Sequence, residues 1–266
     1  MLHAVAALWG VLHTTGYYST TVCLGTPARA FELIVDTGSS ITSVPCRQCR
    51  TCGTHHHAAR FDERRSRTVA RAGCSDAQRE RELLCERCSA SSCQYRAVYM
   101  EGSSLRGHVL QDSARFEGGS SPAVADASAR IFFGCHSYEN GLFRTQTADG
   151  ILGLQPVPHS AQRPTRRRSR LPSVLSALVT QHSAANTFSL CLGERSGLML
   201  LGGRADVPSL LAAGGTVSPM VAGAPSRFTL RVRAPAERFP KADRVRARVS
   251  HCGCVLWRST FQRRTI

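Results

Sequence analysis

The apolar run Phe31-Glu32-Leu33-Ile34-Val35 ends on Asp36-Thr37-Gly38-Ser39, and no other stretch constrains the fold as tightly. Five residues rich in β-formers read as a strand, and the glycine two places after the carboxylate permits a tight turn at its end. An acid delivered in this way sits at the edge of a buried sheet, where solvent is scarce and its ionisation can be tuned. A bare Asp-Thr-Gly is also an ordinary Asx-turn, so its meaning depends on its surroundings.

Those surroundings are short strands. Tyr17 to Leu24 is rich in β-formers and stops at Gly25-Thr26-Pro27, which predicts a hairpin feeding Asp36. Cys93 to Tyr99, the turn Glu101-Gly102-Ser103-Ser104 and Gly107 to Asp112 predict a second hairpin with a small-residue tip, able to bend over a cleft. Arg130 to Cys135, Asp149 to Leu154, Phe188 to Gly193 and Gly197 to Gly203 predict further strands. Leu171 to Val179 has helical spacing with Pro172 near its start. The expected class is mainly β.

Twelve cysteines are many for a cytosolic domain, and Cys46, Cys49, Cys52, Cys74, Cys85, Cys88 and Cys93 crowd into one block. Cys49/Cys52 and Cys85/Cys88 have the spacing of paired zinc thiolates, but the pairs lie far apart and cysteines are left over. Disulfides are therefore expected, with connectivity open, and with them an oxidising secretory compartment or secretion. His55-His56-His57 follows this block and is expected to be a surface loop rather than a metal site. No metal and no cofactor are indicated.

Thirty-four Lys+Arg against 18 Asp+Glu give a net charge of +16. The excess gathers in Arg163 to Arg170 and beyond Arg227, with only 6% aromatics, which is the pattern of solvated basic loops and not of a nucleic-acid reader. No run reaches the ~18 apolar residues of a membrane-spanning helix. The first ten residues are apolar but make a poor signal peptide. A membrane anchor is expected, if anywhere, in a longer form of the protein.

Taken in order, Tyr18 to Pro27, Asp36-Thr37-Gly38-Ser39-Ser40, the Tyr99 hairpin, Asp149 to Leu154 and Phe188 to Gly203 resemble the pepsin-like aspartic endopeptidases over about residues 16 to 230. Pro45 to His55 and Gly134 to Gln146 look like the plasmepsin-V-like branch, with nepenthesin-like plant proteases as the alternative. The resemblance implies a bilobal fold and hydrolysis of a polypeptide substrate by two aspartates and one water. Asp36 would be one aspartate, supported by Thr37, Gly38 and Ser39, and Tyr99, Gly102 and Ser103 would belong to a flap.

The implied organisation is a lead-in over 1–15, a first lobe over 16–203 with a cysteine-rich insert over 46–93, the start of a second lobe over 204–233, and a divergent basic tail over 234–266. The family's second Asp-Thr-Gly or Asp-Ser-Gly does not occur after Asp36. The expectation is a C-terminally truncated form of a protease, with an inactive peptide-binding lobe as the alternative.

Overall fold

The computed structural model describes residues 4–11, 14–79, 83, 85–116, 128–155, 171–202 and 253–258. Six strands close on themselves: β2 (Ser19–Leu24), β3 (Arg29–Asp36), β4 (Ser43–Pro45), β8 (Ser104–Phe116), β9 (Ala129–Glu139) and β10 (Gly150–Gly153). The ring runs β2-β3-β10-β4-β9-β8, and β8 returns to β2 through Val22 opposite Phe116. Closure leaves none of the six with an open edge inside the ring. The expected mainly-β class is present, and the closed six-stranded barrel is consistent with one lobe of the implied bilobal fold.

Alternation explains the strands. In β3, Phe31 and Leu33 are fully buried while Glu32 and Ile34 are not. Period-two burial of this kind sends one face into the barrel. Phe31, Phe61 and Phe133 meet there, the last two edge-to-face at 5.2 Å. Phe61 thereby anchors the far side of the first insert loop in the core.

Strands extend the barrel at both flanks. β5 (Ala70–Arg71) and the hairpin β6 (Arg87–Ser89) and β7 (Ser92–Val98) join through β8, while β1 (Ala4–Trp9) joins β2. β1 pairs along its whole length with β12 (Ser196–Leu201), which pairs with β11 (Thr187–Leu192). Residues 4–9, read from sequence as lead-in, are thus a strand whose Ala4, Ala6 and Leu8 are buried. Their alternation with Val5, Ala7 and Trp9 was the available signal.

The tail also differs from expectation: Gly253–Arg258 forms β13, paired antiparallel with β11 from Leu192 opposite Gly253 to Thr187 opposite Arg258. An arginine-rich stretch without a glycine-punctuated pattern can still add a strand, because an edge offers backbone groups regardless of side chain. The expected start of a second lobe at 204–233, and the basic run Arg163 to Arg170, lie outside the described residues.

α1 (Cys74–Arg79) lies in the insert and α2 (Val174–His182) covers the barrel with Val174, Leu175, Ala177 and Leu178. α2 begins after Pro172 rather than around it, because the Ser173 hydroxyl accepts the Ser176 N–H at 3.1 Å and caps the helix. Ser173→Ala is expected to lower stability by about 1 kcal/mol, read as a lower urea midpoint with unchanged slope.

Four disulfides are Cys46–Cys135, Cys49–Cys52, Cys74–Cys88 and Cys85–Cys93, and Cys191 of β11 is disulfide-bonded as well. All seven cysteines of the block are oxidised, and Cys135 of β9, not singled out from sequence, is the eighth. Sulfurs tied in disulfides offer no thiolate to a metal. The set is consistent with a secretory-pathway protein.

Candidate active site

Asp36 is the last residue of β3, and the parallel pairing of β3 with β10 places Gly153 beside it. The Leu154 N–H donates to the Asp36 carbonyl at 2.9 Å, so the strand end is fixed from the neighbouring strand. One carboxylate oxygen accepts the Gly38 N–H at 2.7 Å. The other accepts the Ser39 hydroxyl in a short hydrogen bond. A Cβ at Gly38 would stand 3.1 Å from that first oxygen, which is why the smallest residue suits the turn. Thr37 is half-buried between them.

The Tyr99 hairpin reaches this site. The Ser39 and Tyr99 hydroxyl oxygens lie 3.3 Å apart. The Ser39 hydroxyl thus faces two acceptors, the Asp36 carboxylate and the Tyr99 oxygen. The sequence-predicted residues Asp36, Ser39 and Tyr99 therefore form one chain of hydroxyls ending on a carboxylate. Burial, with the nearby Asp36 and Glu101 carboxylates adding to it, raises the Tyr99 phenol well above its ordinary range. It stays protonated at any working pH.

The turn itself is built from local chemistry. Tyr99 N–H donates to the Ser103 carbonyl and Gly102 N–H to the Tyr99 carbonyl, with Gly102 at φ +95° where a side chain would be strained. Met100 at the tip is 93% exposed, so the hairpin projects into open space above the carboxylate. Ser103 is buried at its base and accepts the Leu142 N–H at 3.0 Å.

Sequence reasoning missed the wall behind this hairpin. Phe143 packs edge-on against Tyr99 with ring centres 5.1 Å apart. It lies within the Gly134 to Gln146 stretch already noted, but nothing local announces its contact. A second omission is a buried trio. Glu139 at the end of β9 meets His136 at 2.6 Å and His56 at 3.2 Å. His56 thus departs from the surface loop expected for His55-His56-His57, because its ring is drawn inward by the carboxylate while His55 and His57 remain exposed.

The remaining carboxylates near the core serve the backbone. Asp149 accepts the N–H groups of Glu32 and Ala58, both at 2.7 Å, and Asp112 accepts the Ser113 N–H at 2.8 Å together with the Thr68 hydroxyl at 2.6 Å. Among the described residues no second aspartate pairs with Asp36. Asp126, Asp206 and Asp243 lie outside the described residues.

Residues 18–203 match the family described as Xylanase inhibitor N-terminal. Among characterised proteins, Aspartic protease 5 of Toxoplasma gondii is 29% identical, the match covering 98% of this chain and 26% of that protein. Plasmepsin V of Plasmodium falciparum (isolate 3D7) is 28% identical over 74% of this chain and 31% of its own length. Aspartic proteinase 36 of Arabidopsis thaliana is 30% identical over 79% of this chain and 40% of its own length. The chain spans between about a quarter and two fifths of the relatives it matches. Parasite and plant proteins stand at nearly equal identity, so these similarities are to pepsin-like aspartic proteases broadly and do not single out the branch expected from sequence.

Proposed function

The chain belongs to the Xylanase inhibitor N-terminal family, and from that membership together with its likeness to aspartic proteases we propose that it supplies the first lobe of an aspartic-type endopeptidase. The observation that carries this reading is the Asp36 carboxylate held by Gly38 and Ser39 beneath the Tyr99 hairpin. Asp36 takes a proton from the attacking water, and a second carboxylate, contributed from outside the described residues, donates to the scissile carbonyl. Two carboxylates so placed share one proton, because two like charges in contact cannot both ionise. The Ser39 hydroxyl holds the Asp36 oxygen in position, and the Tyr99 hairpin acts as a flap that closes over bound peptide and excludes water.

The substrate is a polypeptide, met in the secretory pathway or after secretion. Within the family, the Pro45 to His55 and Gly134 to Gln146 stretches favour the plasmepsin-V-like branch over the nepenthesin-like one.

One specific observation supports a second reading: no aspartate partners Asp36 among the described residues, so the lobe would bind peptide without cleaving it. Incubation of the full-length protein with a peptide library at acidic to neutral pH, with cleavage read by mass spectrometry and challenged with a pepstatin-type inhibitor, separates the two. Inhibitor-sensitive cleavage supports the endopeptidase. Peptide binding without cleavage sinks it in favour of the binding lobe.

A further inference from the structure

His56 sits between two acceptors. Its Nδ1 lies 2.8 Å from the Ala148 carbonyl oxygen and its Nε2 3.2 Å from Glu139 Oε2, with the two side chains 4% and 1% exposed. A carbonyl and an ionised carboxylate can only accept, so both ring nitrogens must carry protons. His136 needs only one, on the Nε2 that donates to Glu139 at 2.6 Å, and its Nδ1 has no partner. One imidazolium, one neutral imidazole and one carboxylate make a buried trio with no net charge.

The two acceptors of His56 are the residues immediately before and after the segment 140–147. Its first part, from Asn140 to Phe143, backs the Tyr99 hairpin. Asn140 Oδ1 accepts the Ser104 N–H at 2.5 Å, the Leu142 N–H reaches Ser103 at 3.0 Å, and Phe143 packs on Tyr99. We propose that His56 is a positioning residue which, as an imidazolium, clamps both ends of the segment 140–147 and so holds Phe143 against Tyr99. The functional meaning of this clamp rests on the reading of the Tyr99 hairpin as a flap, whereas its existence does not.

Other groups around the clamp are accounted for. The Gly53 N–H adds a third donor to Glu139 at 2.9 Å. Arg60 lies near His136 and spends its guanidinium on the carbonyls of Cys49 and Cys52. Asp149 acts on His56 through its charge while bonding backbone amides, and neighbouring His57 pairs instead with Glu32 at 3.3 Å. Burial lowers the proton affinity of His56, but the Glu139 hydrogen bond and charge, the Ala148 carbonyl and Asp149 outweigh it, and the net shift is upward. Burial likewise works against the ionised Glu139, but hydrogen bonds from both imidazoles hold its pKa down to about 2. Because the folded pKa of His56 lies above its ordinary 6.5, the clamp is complete below that pH and is lost as pH rises through the folded value.

Hydrogen–deuterium exchange of the full-length protein, followed from about pH 5 to about pH 9 and expressed as protection factors, tests this without any need for peptidase activity. Protection of residues 140–147 is expected to fall at least roughly tenfold with rising pH. His56→Gln, which cannot donate to both acceptors, should be loosened at all pH values and show no step. His56→Lys, a cation able to reach both acceptors, should retain protection to higher pH than the wild type. A pH-independent wild type, or a step that persists in His56→Gln, overturns the proposal. If neither variant folds, nitrogen chemical shifts of His56 in the wild type decide, since a neutral ring at about pH 6 is incompatible with the clamp. Loss of peptidase activity with the pH step intact would count against the proposed function and leave the clamp standing.

Discussion

Asp36→Asn in the full-length protein is expected to lower the rate constant for peptide cleavage by about a thousandfold or more while leaving the fold in place. Asparagine is nearly the same shape, so its carbonyl oxygen can still accept the Gly38 N–H that Asp36 accepts at 2.7 Å. Its amide nitrogen, however, faces the Ser39 hydroxyl as a donor, and neither atom can take a proton from water. The loss should appear in kcat, with the thermal midpoint changed by only a few degrees, because one hydrogen bond to a charged group contributes about 2 kcal/mol. Unchanged cleavage by Asp36→Asn would show that the chemistry lies elsewhere. Absence of cleavage in both proteins, with peptide still bound, would favour the binding lobe.

What was legible in the sequence is what local chemistry dictates. The turn after Val35 and the Glu101-Gly102-Ser103-Ser104 tip both follow from glycine and hydroxyl placement within a few residues, and both appear where expected. The contacts that make a site of them cross long stretches of chain: Ser39 to Tyr99 spans 60 residues and His56 to Glu139 spans 83. Such pairings are fixed by barrel register, which no short window encodes. β13 escaped notice for the same reason, since an edge strand is recruited by its neighbour and not by its own pattern.

The cysteines show the same division. That the cysteines of the block are oxidised was legible from their number, but not their partners. Cys49–Cys52 bonds within its own C-x-x-C, whereas Cys85 and Cys88 bond outward to Cys93 and Cys74. Cys88 and Cys93 even stand directly opposite across β6 and β7 without bonding to each other. Direct opposition in a hairpin therefore does not choose the partner, and the loops around the strands do.

Removing Cys46–Cys135 by a double substitution to alanine is expected to cost about 4 kcal/mol of folding stability, the largest effect of any of the four bridges. The reason is the length of chain it closes. Cys46 follows the end of β4 and Cys135 lies in β9, and the parallel register that sets Val44 opposite Cys135 brings together residues 89 apart in sequence. Constraining so long a loop removes much more freedom from the unfolded chain than closing Cys49–Cys52, three residues apart, whose removal should cost about 2 kcal/mol. The bridges nested between Cys46 and Cys135 shorten the effective loop, which keeps the figure near 4 rather than 5. Both sulfurs are fully buried, so alanine avoids leaving an unpaired hydroxyl in the core. A thermal midpoint lowered by roughly 10 °C or more, against a smaller shift for the Cys49/Cys52 double variant, is the expected result. Equal shifts for the two pairs would mean that the unfolded chain is already compact enough to hold Cys46 near Cys135, and the stabilisation would then have to come from packing between β4 and β9 instead.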